Sequence, residues 1–334
     1  MQGKKTIAFF VILVLLFSAF CLSAAAAQVI PGGDAVAVRL QCDGVILLGF
    51  TDDAKDNPAR AGGLKRGDRI VGVGESAIHS ADDLTAALNL CSDTVCVTYV
   101  RGENSRQTSV TLRQEEDGSR RLGILIKDST AGIGTLTFLL PESGVYGCLG
   151  HGITDSDTED LFPTAGGVIY PAKIMSVRKG AAGSPGELQG MFSGSSMGTA
   201  NYNTQTGLFG TLDSETLSQR QTVETAEKRE VREGAATIRC TLEDGEVQEY
   251  EIEIVRIYRI FSGTTKNMLI RVTDERLLEK TGGIVQGMSG SPIFQNGKLV
   301  GAVTHVLVND PTSGYGIFIE NMLNAAQMPM AKAS

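Results

Sequence analysis

Residues 287 to 294 read Gly-Met-Ser-Gly-Ser-Pro-Ile-Phe, a turn that leads toward the apolar run Leu299-Val300-Gly301-Ala302-Val303. Gly287 and Gly290 let the backbone fold tightly, so the N–H groups of Gly287 and Ser289 can converge on one point. A hydroxyl at Ser289 then sits beside a ready oxyanion hole. Serine alone is a poor nucleophile at neutral pH, so this reading requires a histidine base. The chain has 3 histidines: His79, His151 and His305. His151 lies in Gly147-Cys148-Leu149-Gly150-His151-Gly152-Ile153-Thr154-Asp155, with glycines on both sides that allow close approach to another backbone. The plain alternative for residues 287 to 292 is a glycine-rich hairpin turn with no chemistry.

Longer stretches carry a resemblance. Thr281-Gly282-Gly283-Ile284-Val285-Gln286-Gly287-Met288-Ser289-Gly290-Ser291-Pro292-Ile293 is similar to the nucleophile segment of the SpoIVB (stage IV sporulation protein B) serine peptidases. Gly301 to Val306 and Asn309 to Gly316 resemble the segments C-terminal to the nucleophile in that family, and Asp128 to Phe138 and the His151 segment match in the same order. The resemblance runs from about residue 29 to the C-terminus. It implies an exported endopeptidase that clips a membrane-bound regulatory protein during sporulation, leading to sigma factor activation, and that also cuts itself near its N-terminus. It places the third triad member at Asp274. Trypsin-like enzymes carry that acid much further upstream, so Asp155 and Asp213 stay open as rivals. Asp274 also fits an N-cap ahead of Glu275-Arg276-Leu277-Leu278.

The formal charge of -8 argues against a nucleic-acid partner, because phosphate neutralisation needs a basic surface. Lys4 and Lys5 precede an uncharged stretch from Thr6 to Ala27 that ends in four alanines. Residues 1–28 therefore read as a secretory signal or a membrane anchor, and export is expected. Beyond that segment lie Cys42, Cys91, Cys96, Cys148 and Cys240, an odd set that makes a poor disulfide framework. Cys91 and Cys96 flank a short turn and could bridge if geometry allows, the preferred reading being two small buried thiols, and Cys148 reads as a packed side chain rather than a nucleophile. No metal-ligand spacing appears, so neither a metal nor a cofactor is expected.

Residues 30–113 resemble a PDZ domain of the bacterial protease type. The cues are Gly44 to Phe50, the turn Pro58 to Leu64, Lys65 to Val73, a capped helix beginning at Ser80-Ala81-Asp82-Asp83-Leu84, and Val95 to Arg101. Such a domain binds a peptide or protein C-terminus by strand addition. The resemblance puts its carboxylate loop at Asp34 to Val38, which makes Val36, Ala37 and Val38 substrate-binding residues. Residues 114–122 read as a charged linker. Residues 123–330 show short strands broken by glycines, which suits a mainly-β trypsin-like double barrel, with Leu217 to Arg232 ambiguous between helix and loop. The expected fold is thus multidomain: a small α+β PDZ domain followed by that peptidase domain. In trypsin-like folds the strand leaving the serine lines the substrate pocket, which makes His305 a substrate-binding residue; its plain reading is a strand-end histidine bonded to backbone. The rival function is a PDZ-based scaffold whose peptidase domain is inactive.

Overall fold

The computed structural model describes residues 27–52, 56–116, 118–155, 160–213, 220–243, 245–259 and 265–332. The apolar N-terminal stretch up to residue 26 lies outside them, as does the start of the Leu217 to Arg232 stretch. The described part of the latter is not helical; it holds the short strand Val223–Glu224.

Two 16-residue strands, Ala35–Phe50 and Ile124–Leu139, organise the molecule. Their barrel halves pair antiparallel, from Ala35 with Thr135 to Gln41 with Ser129. The register then skips four residues of the first strand, and pairing resumes from Ile46 with Lys127 to Phe50 with Ile124. Each strand therefore serves two units.

The first unit is a six-stranded barrel. Ile124–Leu139 pairs with Ala35–Phe50, which pairs with Thr164–Arg178, which pairs with Gly198–Thr199. A bridge from Gly198 to Leu212 reaches Gly207–Thr211, and Val145–Cys148 joins that strand back to Ile124–Leu139. Alternate residues of a strand share a face, so Val36, Val38, Leu40 and Cys42 point together into a core with Leu136, Tyr146 and Phe162. The second unit is a closed barrel of Gly234–Thr241, Val247–Ile257, Met268–Val272, Asp310–Phe318, Lys298–Leu307 and Pro292–Gln295. Ile238, Tyr250, Ile252 and Ile293 fill it. The helix Ile319–Lys332 contributes Met322 and Ala326 to a further core with Phe138, Phe209 and Leu299, drawn from both barrels.

The third unit matches the PDZ cues. Ser80 caps the helix Ala81–Leu90, its hydroxyl accepting from the Asp83 N–H at 3.1 Å, and Leu84, Ala87 and Leu88 turn inward. They pack with Val45, Leu47, Ile70, Val97 and Leu122.

Two expectations change. Val36, Ala37 and Val38 are not a carboxylate loop. They are buried strand residues, paired with Gly134, Ile133 and Gly132 on one edge and with Pro171, Tyr170 and Ile169 on the other. Their backbone has no free edge to offer a ligand. The PDZ unit is accordingly inserted after the first barrel has begun, and the barrel's N-terminal strands precede it. Residues 114–122 are not a free linker either, because Arg113–Gln114 pairs with Arg120–Arg121 as a hairpin and Leu122 is buried in the PDZ core. Cys91 and Cys96 are free thiols, Cys91 half-buried and Cys96 exposed.

Candidate active site

The Ser289 turn is pinned to the first barrel. The Thr135 N–H donates to the Ser289 carbonyl at 2.8 Å, and the Thr135 hydroxyl donates to the Gly287 carbonyl at 2.9 Å. The Thr137 hydroxyl donates to the Gly290 carbonyl at 2.7 Å, and the Gly290 N–H donates to the Val303 carbonyl in the second barrel. Gly290 has φ 96, and a Cβ there would overlap the Thr135 carbonyl oxygen. Only glycine fits at this crossing of two barrels. The His151 loop is drawn to the same place, since the Leu149 N–H donates to the Thr135 carbonyl at 3.3 Å.

The two loops meet in a cleft of about 500 Å³ lined by Ala131, Ile133, His151, Gly287, Ser289 and His305, among others. The Ser289 hydroxyl donates to the Thr304 carbonyl at 2.8 Å. His151 Nδ1 lies 2.8 Å from the Gly152 carbonyl, and burial holds the imidazole's pKa below its ordinary 6.5. The His151 and His305 rings lie 4.8 Å apart between centroids. Burial first, then His151 and Lys266, lower His305 to about 4. His305 Nδ1 is buried without a hydrogen-bond partner among the described residues, so the plain reading of a ring bonded to backbone through that atom does not apply. Neither the Gly287 nor the Ser289 N–H donates to another described group. No Asp, Glu, Lys or Arg lines the cleft among the described residues.

Asp274 is elsewhere. It caps the helix Glu275–Thr281, accepting from the Arg276 N–H at 2.9 Å, from the Arg276 guanidinium at 2.7 Å and from the Glu251 N–H at 3.2 Å. No described carboxylate is hydrogen-bonded to His151. The expected triad member is thus corrected to the role of N-cap, for which aspartate is equally suited. Asp155 is buried and bound to Lys127 Nζ at 2.8 Å. The backbone of Asp213 is held by the Met197 carbonyl. Cys148 is fully buried, which pushes its thiol pKa far up and removes it as a nucleophile.

Sequence reasoning missed a second cavity, in the PDZ unit. A cavity of about 390 Å³ lies between the helix Ala81–Leu90 and the start of Ile124–Leu139, lined by Leu84, Thr85, Leu88, Arg121, Gly123 and Ile124. The Leu122 carbonyl accepts from the Ala59 N–H, and the Gly123 carbonyl accepts from the Thr51 N–H and from Asn57 Nδ2. With its carbonyls so engaged, and Gly123 at φ 71, the loop keeps the Gly123 N–H unused by any described group. The signal was Leu122-Gly123-Ile124, an apolar pair around a turn glycine, hidden beside the charged hairpin.

Comparison with known proteins agrees with this layout. A PDZ domain model matches residues 38–112, and the SpoIVB peptidase S55 model matches residues 118–323. No curated protein matches the chain. Among solved structures, the PDZ domain of the SdrC-like protein Lmo2051 from Listeria monocytogenes is 25% identical, covering 25% of this chain and 87% of its own, with a TM-score of 0.22. The active form of the Rv3671c protease from M. tuberculosis is 13% identical over 59% of this chain and 73% of its own, with a TM-score of 0.35. The HtrA-type protease AlgW with decapeptide is 10% identical over 61% and 55%, with a TM-score of 0.36. Since the peptidase model spans more than half of the sequence and takes in both the histidine and the serine of the cleft, the chain belongs to the SpoIVB peptidase S55 family.

Proposed function

We propose that this serine endopeptidase uses Ser289 as nucleophile and His151 as base, with the Gly152 carbonyl rather than a carboxylate orienting the imidazole. The observation that carries the reading is the convergence, in one cleft, of Ser289, His151 and two N–H groups without described acceptors at Gly287 and Ser289. The Nδ1 contact with Gly152 supports the tautomer protonated at Nδ1, which leaves Nε2 to accept the serine proton. Burial keeps the ring neutral at pH 7, as a base must be.

In this mechanism the Ser289 hydroxyl turns from the Thr304 carbonyl to His151, and Oγ bonds to the scissile carbonyl carbon as its proton passes to the imidazole. The oxyanion so formed accepts from the Gly287 and Ser289 N–H groups. Collapse breaks the C–N bond, and His151 returns the proton to the leaving amine. Water, deprotonated by the same histidine, then releases the acyl group. A carbonyl fixes the tautomer but adds no full negative charge beside the imidazolium. The described lining of the cleft carries no carboxylate, lysine or arginine, which favours small or apolar residues around the cut bond.

The finer role is exported signalling. The apolar stretch Thr6 to Ala27 supports passage across the cytoplasmic membrane. The family supports a substrate that is a membrane-bound regulator of sporulation, in the space between forespore and mother cell membranes. Intermolecular self-cleavage falls before Gln28. The strand Gln28–Pro31 pairs with Val223–Glu224 and with Phe138 and Leu139, and so is closed to a protease once folded.

Turnover of an unstructured peptide by the folded Ser289→Ala and His151→Ala proteins tests the assignment. Each should lose about 10⁶-fold or close to it, because nucleophile and base act as a unit. Substantial activity in folded Ser289→Ala protein would sink the reading.

A further inference from the structure

The groove beside the helix Ala81–Leu90 and the cleft at Ser289 share one strand. Ile124 borders the groove, Ala131 to Ile133 border the cleft, and both segments belong to Ile124–Leu139. From residue 124 to 134 this strand pairs along one edge only, with Ala35–Phe50. Among the described residues nothing pairs with the opposite edge there; the strands Gln28–Pro31 and Val145–Cys148 join only from Leu136 onward. Leu125 is 54% exposed, and Ala131 and Gly132 are exposed. The helix Ala81–Leu90 flanks only the first part, because its N-terminus is tied to Asp128, whose carboxylate accepts from the Ala81 N–H at 3.0 Å. Beyond Asp128 the edge continues, without the helix, to Gly134 beside the Ser289 turn.

Polarity makes the continuity useful. A peptide whose terminal carboxylate meets the Gly123 N–H and which adds to this edge runs antiparallel to it. Its upstream residues then travel from Ile124 toward Ile133, which is toward Ser289. Ten strand positions at about 3.3 Å each span about 30 Å.

We propose that one extended polypeptide occupies groove and cleft together, so that the bond cut lies about ten residues upstream of a C-terminus held at Gly123. The inference rests on the peptidase reading, and it assigns the PDZ unit the role of a ruler rather than a remote tether. Main-chain pairing supplies affinity along the whole edge, and the groove raises the effective concentration of one particular bond at the nucleophile. The ion pair of Lys127 with buried Asp155 ties the middle of the edge to the His151 loop, which keeps the spacing fixed.

The test uses the exported chain and peptides in which one cleavable sequence precedes polar tails of about 4 to 16 residues, each with a free or an amidated C-terminus. The expected kcat/KM peaks at a tail of about ten, and amidation lowers that peak about tenfold while leaving the shortest tails unaffected. A flat dependence on tail length, or an equal effect of amidation at every length, would overturn the proposal while leaving the peptidase reading intact. Binding to the Ser289→Ala protein, measured by fluorescence anisotropy, gives a readout independent of turnover. Affinity should keep rising as the peptide is extended upstream from its C-terminus to about ten residues; a plateau after about four overturns the shared edge. Length-dependent binding with no cleavage of any peptide would instead refute the peptidase reading alone.

Discussion

Asp274→Asn separates two jobs that one carboxylate can do. If Asp274 oriented the catalytic imidazole, the amide would favour the wrong tautomer and cost about 10⁴ in kcat. The structure makes it a helix cap instead. Its pKa is held down at about 2, first by the Arg276 side chain and then by the Glu251 and Arg276 N–H groups. A carboxylate depressed in the folded state stabilises above its ordinary pKa near 4, and that contribution is lost as the pH falls through about 2. The Arg276 side chain is 63% exposed, so solvent screens the ion pair to no more than about 1 kcal/mol. Asparagine still caps, so Asp274→Asn should cost about 1 kcal/mol or less at pH 7, lowering Tm by no more than about 2–4 °C. Asp274→Ala removes the cap as well and should cost about 1–2 kcal/mol. Thermal melts give the stabilities, and kcat/KM on an unstructured peptide, well below Tm, gives the activity. The expected loss of activity in Asp274→Asn is less than about threefold at full folding. A loss of about a thousandfold or more in folded protein would refute the geometry and return Asp274 to the triad.

Three further outcomes are expected from the same geometry. Val36→Asp places a carboxylate in the first barrel's core and should abolish folding, read as loss of the cooperative melt; a folded protein lacking only peptide binding would restore the carboxylate-loop reading. Gly290→Ala forces a Cβ onto the Thr135 carbonyl at φ 96, so it should destabilise by more than about 1 kcal/mol in denaturant titration and lower kcat; wild-type behaviour would mean that the barrels do not cross there. Mass spectrometry of self-processed protein should find an N-terminus at or before Gln28, whereas a product beginning beyond Pro31 would mean that the first strand is not docked when cutting occurs.

Local features were legible in the sequence. The Ser289 turn and the His151 loop need glycines next to the reactive residue, and that signature survives in one dimension. The PDZ helix announced itself through Ser80 and the inward set Leu84, Ala87 and Leu88. Non-local pairing was not legible. Nothing in Val36-Ala37-Val38 distinguishes a strand buried on both edges from an apolar loop beside a groove, because the partners lie near residues 133 and 170. The continuity of Ile124–Leu139 was obscured by Asp128-Ser129-Thr130, polar residues that sit where the strand passes from one unit to the other. Asp274 misled because a helix cap and a triad acid call for the same side chain, and the distinction lies in distance to His151. The Gly152 carbonyl could not be found at all, since a backbone acceptor has no sequence signature.

The central claim is that Ser289, deprotonated by a neutral, half-buried His151, is the nucleophile. Reaction of the purified protein with a labelled fluorophosphonate, mapped by mass spectrometry across a pH series, tests it most directly. The expected result is one modified residue, Ser289, with a labelling rate that falls only as the pH drops through a value below 6.5, and no labelling in His151→Ala. Label on any other residue, or undiminished labelling of Ser289 in His151→Ala, would contradict it.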